Sequence, residues 1–514
     1  MPTRLIDLGV SQESQPRLVH SCHLKQRVPY CTLSHCWGTY RHAQVSKASL
    51  ASFAVGIPVE ALHSNTFQHA ITITRQLGVR YLWIDSLCIV QDDHEDWIRE
   101  SALMSKVYSR SLCTIAAAHA IDGREGCFSQ RDPLVVFPVL VPSPFQASNS
   151  CRPRRPLFAI HCEKMNSIYE SQVRSGPLYT RGWVVQERLI SPRTLFFGKE
   201  QVVWHCKSHF ACEAFPYGED YVPLERDARK SVHRELVRIE GDRVELLQQW
   251  SAVVRTYTSS KLTTPGDKLV ALQALATLFQ NHTKDQYLAG LWLNPDLVWQ
   301  LLWSIEPGST QGQRPSDSSY RAPSWSWASV DGMIEMKIPS LAERRHSEVG
   351  MTYDQDVLID IEDVWTIKEN AKAAPNGPVT GGILRIRGQV FSAWMTRVSE
   401  DDLLGAVHEA ELYDKKLTHP GEDSAEQARE IGMCLLDAPS ECPADGFVDC
   451  LPIIGHKLFR NGRAGRGEWS LRGLLLLPRG PANTFVRVGM FLTNITSSPV
   501  WSQHPSDRQT IEIV

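Results

Sequence analysis

Long hydrophobic runs are missing from this chain of 514 residues. The longest are short stretches such as Leu474–Leu477, far below the ~18 residues a membrane-spanning helix needs. A surplus of either charge is missing as well. With 54 Lys and Arg against 57 Asp and Glu, the formal net charge is −3, which gives no electrostatic ground for a nucleic acid or an anionic membrane as partner. Met1–Ser11 has no apolar core behind a basic start, so no secretory signal is expected. None of the 13 cysteines forms a CxxC pair. Their odd number and irregular spacing read as reduced thiols of a cytoplasmic protein, and on that reading the sequons at Asn281 and Asn494 carry no glycan. Neither GxGxxG nor GxxxxGK(S/T) occurs, so any nucleotide must be held by another device.

What is present is an ordinary globular composition, 42% hydrophobic and 22% charged, with an unusual 15 tryptophans. At about 150 residues per domain the length predicts two or three domains. We read an N-terminal segment over 1–29, an α/β domain over 30–215, a helical middle region over 216–319 and a β-rich module over 320–514. The α/β domain is the most legible. Tyr30–Cys36 reads as a strand ending in the turn Trp37-Gly38, and Asn65 caps a helix that Gly78 stops. Tyr81–Asp85 is a second strand, Asp96–Arg110 a second helix and Cys113–Ala118 a third strand. This β-α-β-α-β order predicts a parallel sheet with right-handed crossovers. Ligands of such sheets bind beyond the carboxyl ends of the strands, which singles out Ser34–Gly38 and Asp85–Gln91.

LSHCWG at 33–38, YLWIDSLCIVQDD at 81–93, DWIRESALMSKVY at 96–108, TIAAAHAIDGREGCF at 114–128 and TRGWVVQERLISPRTLFF at 180–197 resemble, in order, the motifs of the heterokaryon incompatibility (HET) domain. The stretches LTTPGDKLVALQALA at 262–276, YLAGLW at 287–292 and APSWSWAS at 322–329 resemble its usual continuation. The resemblance implies a protein of filamentous fungi, where some members trigger programmed cell death when unlike hyphae fuse. It also implies a distant relation to TIR domains and their flavodoxin-like parallel sheet. Many TIR domains cleave NAD with one essential glutamate, so NAD is a possible substrate and no bound cofactor is expected. The same resemblance allows a non-catalytic module that self-associates or binds a protein partner, and a biosynthetic enzyme using a Cys/His site.

Glu100 is the leading carboxylate. On a helical wheel starting at Trp97 it falls at about 300°, between Val107 and Met104, whereas Lys106, Arg99 and Arg110 lie at about 180–220°. It therefore projects onto the buried face, where it serves chemistry or pairs with an arginine such as Arg181. Asp85 and His35 complete the candidate catalytic set, with Asp85 able to meet a ribose or to cap the next turn. Cys36 and Cys88 can pair with His35 as nucleophiles or simply pack. Ser34, Trp37, Gly38, Gln91 and Trp97 line the same strand ends. Arg181, Trp183, Gln186 and Glu187 form a polar-aromatic cluster suited to a phosphate and a stacked base, or to one structural ion pair. His205, Cys206, His209 and Cys212 lack the spacing of zinc ligands, and no metal is expected. TLFFGKEQVVWHC reads as a hairpin turning near Gly198. The basic run Arg460–Arg466 reads as a solvated hairpin loop, and Trp325 and Trp327 as two indoles on one strand face.

Overall fold

Tyr30–Ser34 (β3) is buried at all five positions, the pattern of a strand covered on both faces. It lies inside a nine-stranded sheet in the computed structural model, which describes residues 1–11, 13–40, 42–132, 139–141, 157–159, 168–206, 209–220, 241–306, 313–314, 320–340, 355–368, 379–397, 409–414, 430–460, 463–496 and 507–514. The chain divides into two units, Met1–Arg238 and Ile239–Val514.

In the first unit the strands are Arg4–Asp7 (β1), Arg17–His20 (β2), β3, Tyr81–Trp83 (β4) and Cys113–Ala116 (β5). Val139–Val141 (β6) and Leu157–Ala159 (β7) form a separate hairpin. Arg193–Phe197 (β8), Val202–Cys206 (β9), His209–Cys212 (β10) and Phe215–Asp220 (β11) follow. The sheet order is β11-β10-β9-β8-β5-β3-β4-β1-β2. β4, β3, β5 and β8 run parallel, as the sequence predicts for the first three, and the flanking strands pair antiparallel. This is a mixed sheet of an α/β domain. The hairpin expected near Gly198 is β8–β9, closed by Gly198 N donating to Gln201 O.

Helices Leu50–Val55 (α1), Asn65–Gln76 (α2), Asp85–Cys88 (α3), His94–Ser109 (α4) and Gly182–Ile190 (α5) join these strands. The cap of α2 is Ser64 rather than Asn65, whose side chain donates to Arg124 O at 2.6 Å. Its stop is as expected, with Gly78 at φ 71°, a left-handed conformation glycine adopts freely. α4 starts two residues earlier than the sequence suggests because Asp93 accepts from the backbone N–H groups of Glu95 and Asp96. β4 is shorter than expected: Asp85 already belongs to the turn α3, its carboxylate accepting from Ser86 N at 2.7 Å.

In the second unit, Arg243–Thr258 (α6) opens with a capping box between Asp242 and Glu245, and Gln273–Thr283 (α7) follows. Trp250 of α6 meets Phe279, Tyr287 and Trp292 edge-on, the arrangement favoured by ring quadrupoles. Gln286–Leu288 (β12) pairs with Leu291–Leu293 (β13), Leu297–Gln300 (α8) follows, and Ser304–Ile305 (β14) pairs with Ile334–Glu335 (β15). Ala322–Ser329 is not a strand. Ser326 Oγ accepts from Ala328 N and starts a short 3-10 turn over Trp327–Ser329, a local bond that competes with extended pairing. Both indoles are nonetheless buried, and Trp327 Nε1 donates to Gly290 O at 2.9 Å.

The rest is β-rich, as the sequence predicts. Its strands are Gln355–Val357 (β16), Asp360–Lys368 (β17), Val379–Gln389 (β18), Phe391–Arg397 (β19), Glu409–Tyr413 (β20), Glu430–Leu436 (β21), Asp445–Arg460 (β22), Arg463–Pro478 (β23), Thr484–Thr496 (β24) and Arg508–Ile513 (β25). Six of them close a barrel, β22-β19-β20-β21-β24-β23 and back to β22, around Met395, Leu412, Cys434, Leu475 and Phe491. Closure leaves none of these six with a free edge inside the ring. Asn461 and Gly462 of the basic run, and the acidic stretch Ser399–Asp402, lie outside the described residues. Among the described residues no helix is long and apolar enough to cross a membrane.

Candidate functional site at the ends of the parallel strands

The chain leaves β3 through α2 to β4 on one side, then returns through α4 to β5 on the other. The crevice beyond β3 is therefore where successive connections diverge, the place where ligands of open α/β sheets bind. Polar and aromatic side chains gather there. Ser34, the last residue of β3, donates from Oγ to Glu187 Oε2 at 2.6 Å. Tyr108 of α4 also hydrogen-bonds Glu187, and its hydroxyl lies 3.4 Å from Leu33 O. Arg181, the residue that precedes α5, donates to the carbonyl of His35. His35 is buried, its Nδ1 lies 4.0 Å from Asp85 Oδ1, and its Nε2 has no hydrogen-bond partner among the described residues.

Asp85 is the carboxylate of this group that reaches solvent, with its side chain 24% exposed. Trp37 Nε1 donates to its Oδ2 at 2.9 Å, and Gln91 Nε2 donates to its carbonyl at 3.2 Å. Trp37, Trp97 and Trp183 are half-buried, and Trp97 meets Trp183 edge-on with ring centroids 6.4 Å apart. Gln186 is buried, and neither atom of its amide has a hydrogen-bond partner among the described residues. Gly38 has φ +58°, and a Cβ there would come within 2.5 Å of Asp122 Cβ and Ile121 O, so the turn after β3 admits only glycine.

Burial sets the protonation states. It raises the Glu187 carboxyl to about 7, against the opposing pull of Ser34, Arg181 and Tyr108. It lowers His35 to about 4, although Asp85 pulls the other way, so this imidazole is neutral at physiological pH and its contact with Asp85 is not an ion pair. The thiols of Cys36 and Cys88 are buried and pushed up to about 11 and about 12, which leaves them without appreciable thiolate at neutral pH. His205, half-buried, is lowered to about 4 by desolvation of its ring. Among the described residues no group of three His, Cys, Asp or Glu is placed to hold a metal.

The structure brings Ser34, His35, Trp37, Asp85, Gln91, Arg181 and Glu187 into one network. Glu100 is held differently. It is buried as the helical wheel requires, but its charged neighbours are Arg4 of β1 at 3.9 Å and Arg99 at 3.7 Å, with Thr3 as hydrogen-bond partner. Arg4 also pairs with Asp96 and donates to Cys88 O at 2.7 Å. The partner of Glu100 is thus Arg4 and not Arg181. Sequence reasoning did not single out Tyr108, because a tyrosine on the apolar face of a helix reads as core. It also missed His42 and Phe67, whose rings lie 5.3 and 5.5 Å from that of His35.

The raised carboxyl of Glu187 has a thermodynamic consequence. Its folded-state pKa lies above the unfolded value, so between about 4.5 and 7 the folded state holds a proton that the unfolded state has lost. Stability therefore falls as pH rises through that window and stays low above it. Glu187→Gln keeps an oxygen for Ser34 and Tyr108 without the charge. From pH 4.5 to 8 its stability relative to wild type is expected to rise by roughly 3 kcal/mol, read from urea unfolding at a series of pH values. A difference that does not change with pH would contradict the assignment.

Fold and site together define an α/β domain with a cluster of polar and aromatic side chains at the carboxyl ends of its parallel strands. Residues 30–187 match the family model described as heterokaryon incompatibility protein (HET). The match runs from the first residue of β3 to Glu187 itself. This part of the chain is a HET domain. Neither a curated protein nor a solved structure matches the chain.

Proposed function

We propose that the protein acts in heterokaryon incompatibility, as an effector of self/non-self recognition and programmed cell death, and that its HET domain hydrolyses NAD(P) at the nicotinamide–ribose bond. The observation that carries this reading is the convergence of Asp85, solvent-reaching and held by Trp37, with the buried Glu187 on the divergence point of the parallel strands. In chain order the parallel strands run second-first-third-fourth across the sheet. That is the order of flavodoxin-like sheets, which hold a nucleotide at this divergence, and it agrees with the TIR relation that the sequence motifs imply.

In the reaction, the C–N bond to nicotinamide breaks with its electron pair leaving on the ring nitrogen. The Asp85 carboxylate faces the ribose and stabilises the oxocarbenium charge that develops there. Water adds to the ribosyl carbon and releases a proton to solvent. The half-buried indoles of Trp37, Trp97 and Trp183 stack on the cationic pyridinium, and the donors of Arg181 not engaged by His35 hold a phosphate. Glu100, paired with Arg4, positions α4 and with it Trp97. The test is a time course of nicotinamide release from NAD and NADP by the purified full-length protein. Release above the uncatalysed rate is expected, and none from folded protein would overturn the proposal.

A further inference from the structure

Met433, Leu492 and Arg472 form one row across three neighbouring barrel strands. Met433 of β21 stands opposite Leu492 of β24, which stands opposite Arg472 of β23. The adjacent residues Cys434, Phe491 and Leu471 belong to the barrel core, so the row points outward, away from that core. Leu435 and Met490 form the next paired position on the same face. With Trp299 and Leu302 these side chains line a groove of about 180 Å³.

Two features of the groove are at odds with a plain surface. Met433 is 47% and Leu492 36% exposed, so apolar area is left in water beside a concave wall. Arg472 stands among these apolar groups, and burial lowers its pKa. Among the described residues no carboxylate pairs with it. The other cation of the lining is Lys337, which is 76% exposed and already 3.4 Å from Glu335. A guanidinium that loses water without gaining an anion is unfavourable, and a carboxylate supplies the missing bidentate partner.

We propose that this groove binds a small apolar carboxylate, an unbranched medium-chain fatty acid, with its head on Arg472 and its tail along Met433, Leu492 and Met490. At interior packing density the volume holds on the order of ten non-hydrogen atoms. Methionine side chains adapt to a flexible chain better than branched ones do. The site lies in the second unit and is independent of the chemistry proposed for the HET domain.

Calorimetric titration of the full-length protein with octanoate and with octanol tests it. Octanoate is expected to bind at one site, at least tenfold more tightly than octanol. Arg472→Gln is expected to weaken octanoate by tenfold or more, to the level of octanol. Leu492→Glu places a carboxylate directly opposite Arg472 and is expected to abolish octanoate binding, so it gives a second reading should Arg472→Gln fold poorly. No octanoate binding by wild type, equal binding of acid and alcohol, or unchanged octanoate affinity in a folded variant of either kind would overturn the site.

Discussion

Asp85→Asn is expected to lower the rate of nicotinamide release from NAD by about 10²- to 10³-fold, the loss typical of removing one preorganised electrostatic group from a reaction centre. The substitution is nearly isosteric. An amide oxygen can still accept from Trp37 or from Ser86 N, the two donors that hold the carboxylate now, while the charge that would meet an oxocarbenium ion is gone. The loss is expected in kcat more than in KM, because the interaction is made in the transition state. Glu100→Gln is the comparison. Glu100 interacts with Thr3, Arg4 and Arg99, so its neutral variant is expected to keep activity within about tenfold. If Glu100→Gln abolishes release and Asp85→Asn does not, the roles of the two carboxylates are reversed.

Asp437→Ala is expected to destabilise the second unit by about 3–5 kcal/mol, the cost of leaving one member of a buried ion pair uncompensated. Arg487 is fully buried and pairs with Asp437 at 2.8 Å. It also donates to the carbonyls of Leu301 at 2.6 Å and Trp303 at 2.5 Å, and its guanidinium sits 3.5 Å from the centre of the Trp303 ring. One side chain thus ties barrel strand β24 to the segment after α8. Replacing both partners, as Arg487→Met with Asp437→Leu, is expected to recover most of the loss, because no buried charge is left. Urea unfolding followed by tryptophan fluorescence reads both variants. A loss below about 1 kcal/mol for Asp437→Ala would mean that the carbonyls alone satisfy Arg487.

The elements with strong local signals were legible in the sequence. β3, α2, α4 and β5 form an alternating apolar and helical pattern in which Gly78 stops α2, and their positions hold to within two residues or so. The parallel order followed from that alternation. The closed barrel did not, because ring closure depends on pairings between strands far apart in sequence, such as β22 with β19 and β21 with β24. Ala322–Ser329 was misread because alternation of Trp325 and Trp327 mimics a strand, whereas the Ser326 hydroxyl bonds its own neighbouring backbone. At the site, the strand-end rule located Ser34, His35 and Asp85 from topology alone. Burial of Glu100 was also legible from the helical wheel. Its partner was not, because Arg4 comes from a short strand with no periodic signal, paired with β4 across more than seventy residues.

The most direct measurement of the central claim is a crystal structure of the full-length protein with a hydrolysis-resistant NAD analogue. The nicotinamide riboside is expected beyond the ends of β3 and β4, with its ribose within hydrogen-bond distance of Asp85 and its pyridinium against Trp37, Trp97 or Trp183. An analogue bound elsewhere on the HET domain, with Asp85 facing only water, would contradict it.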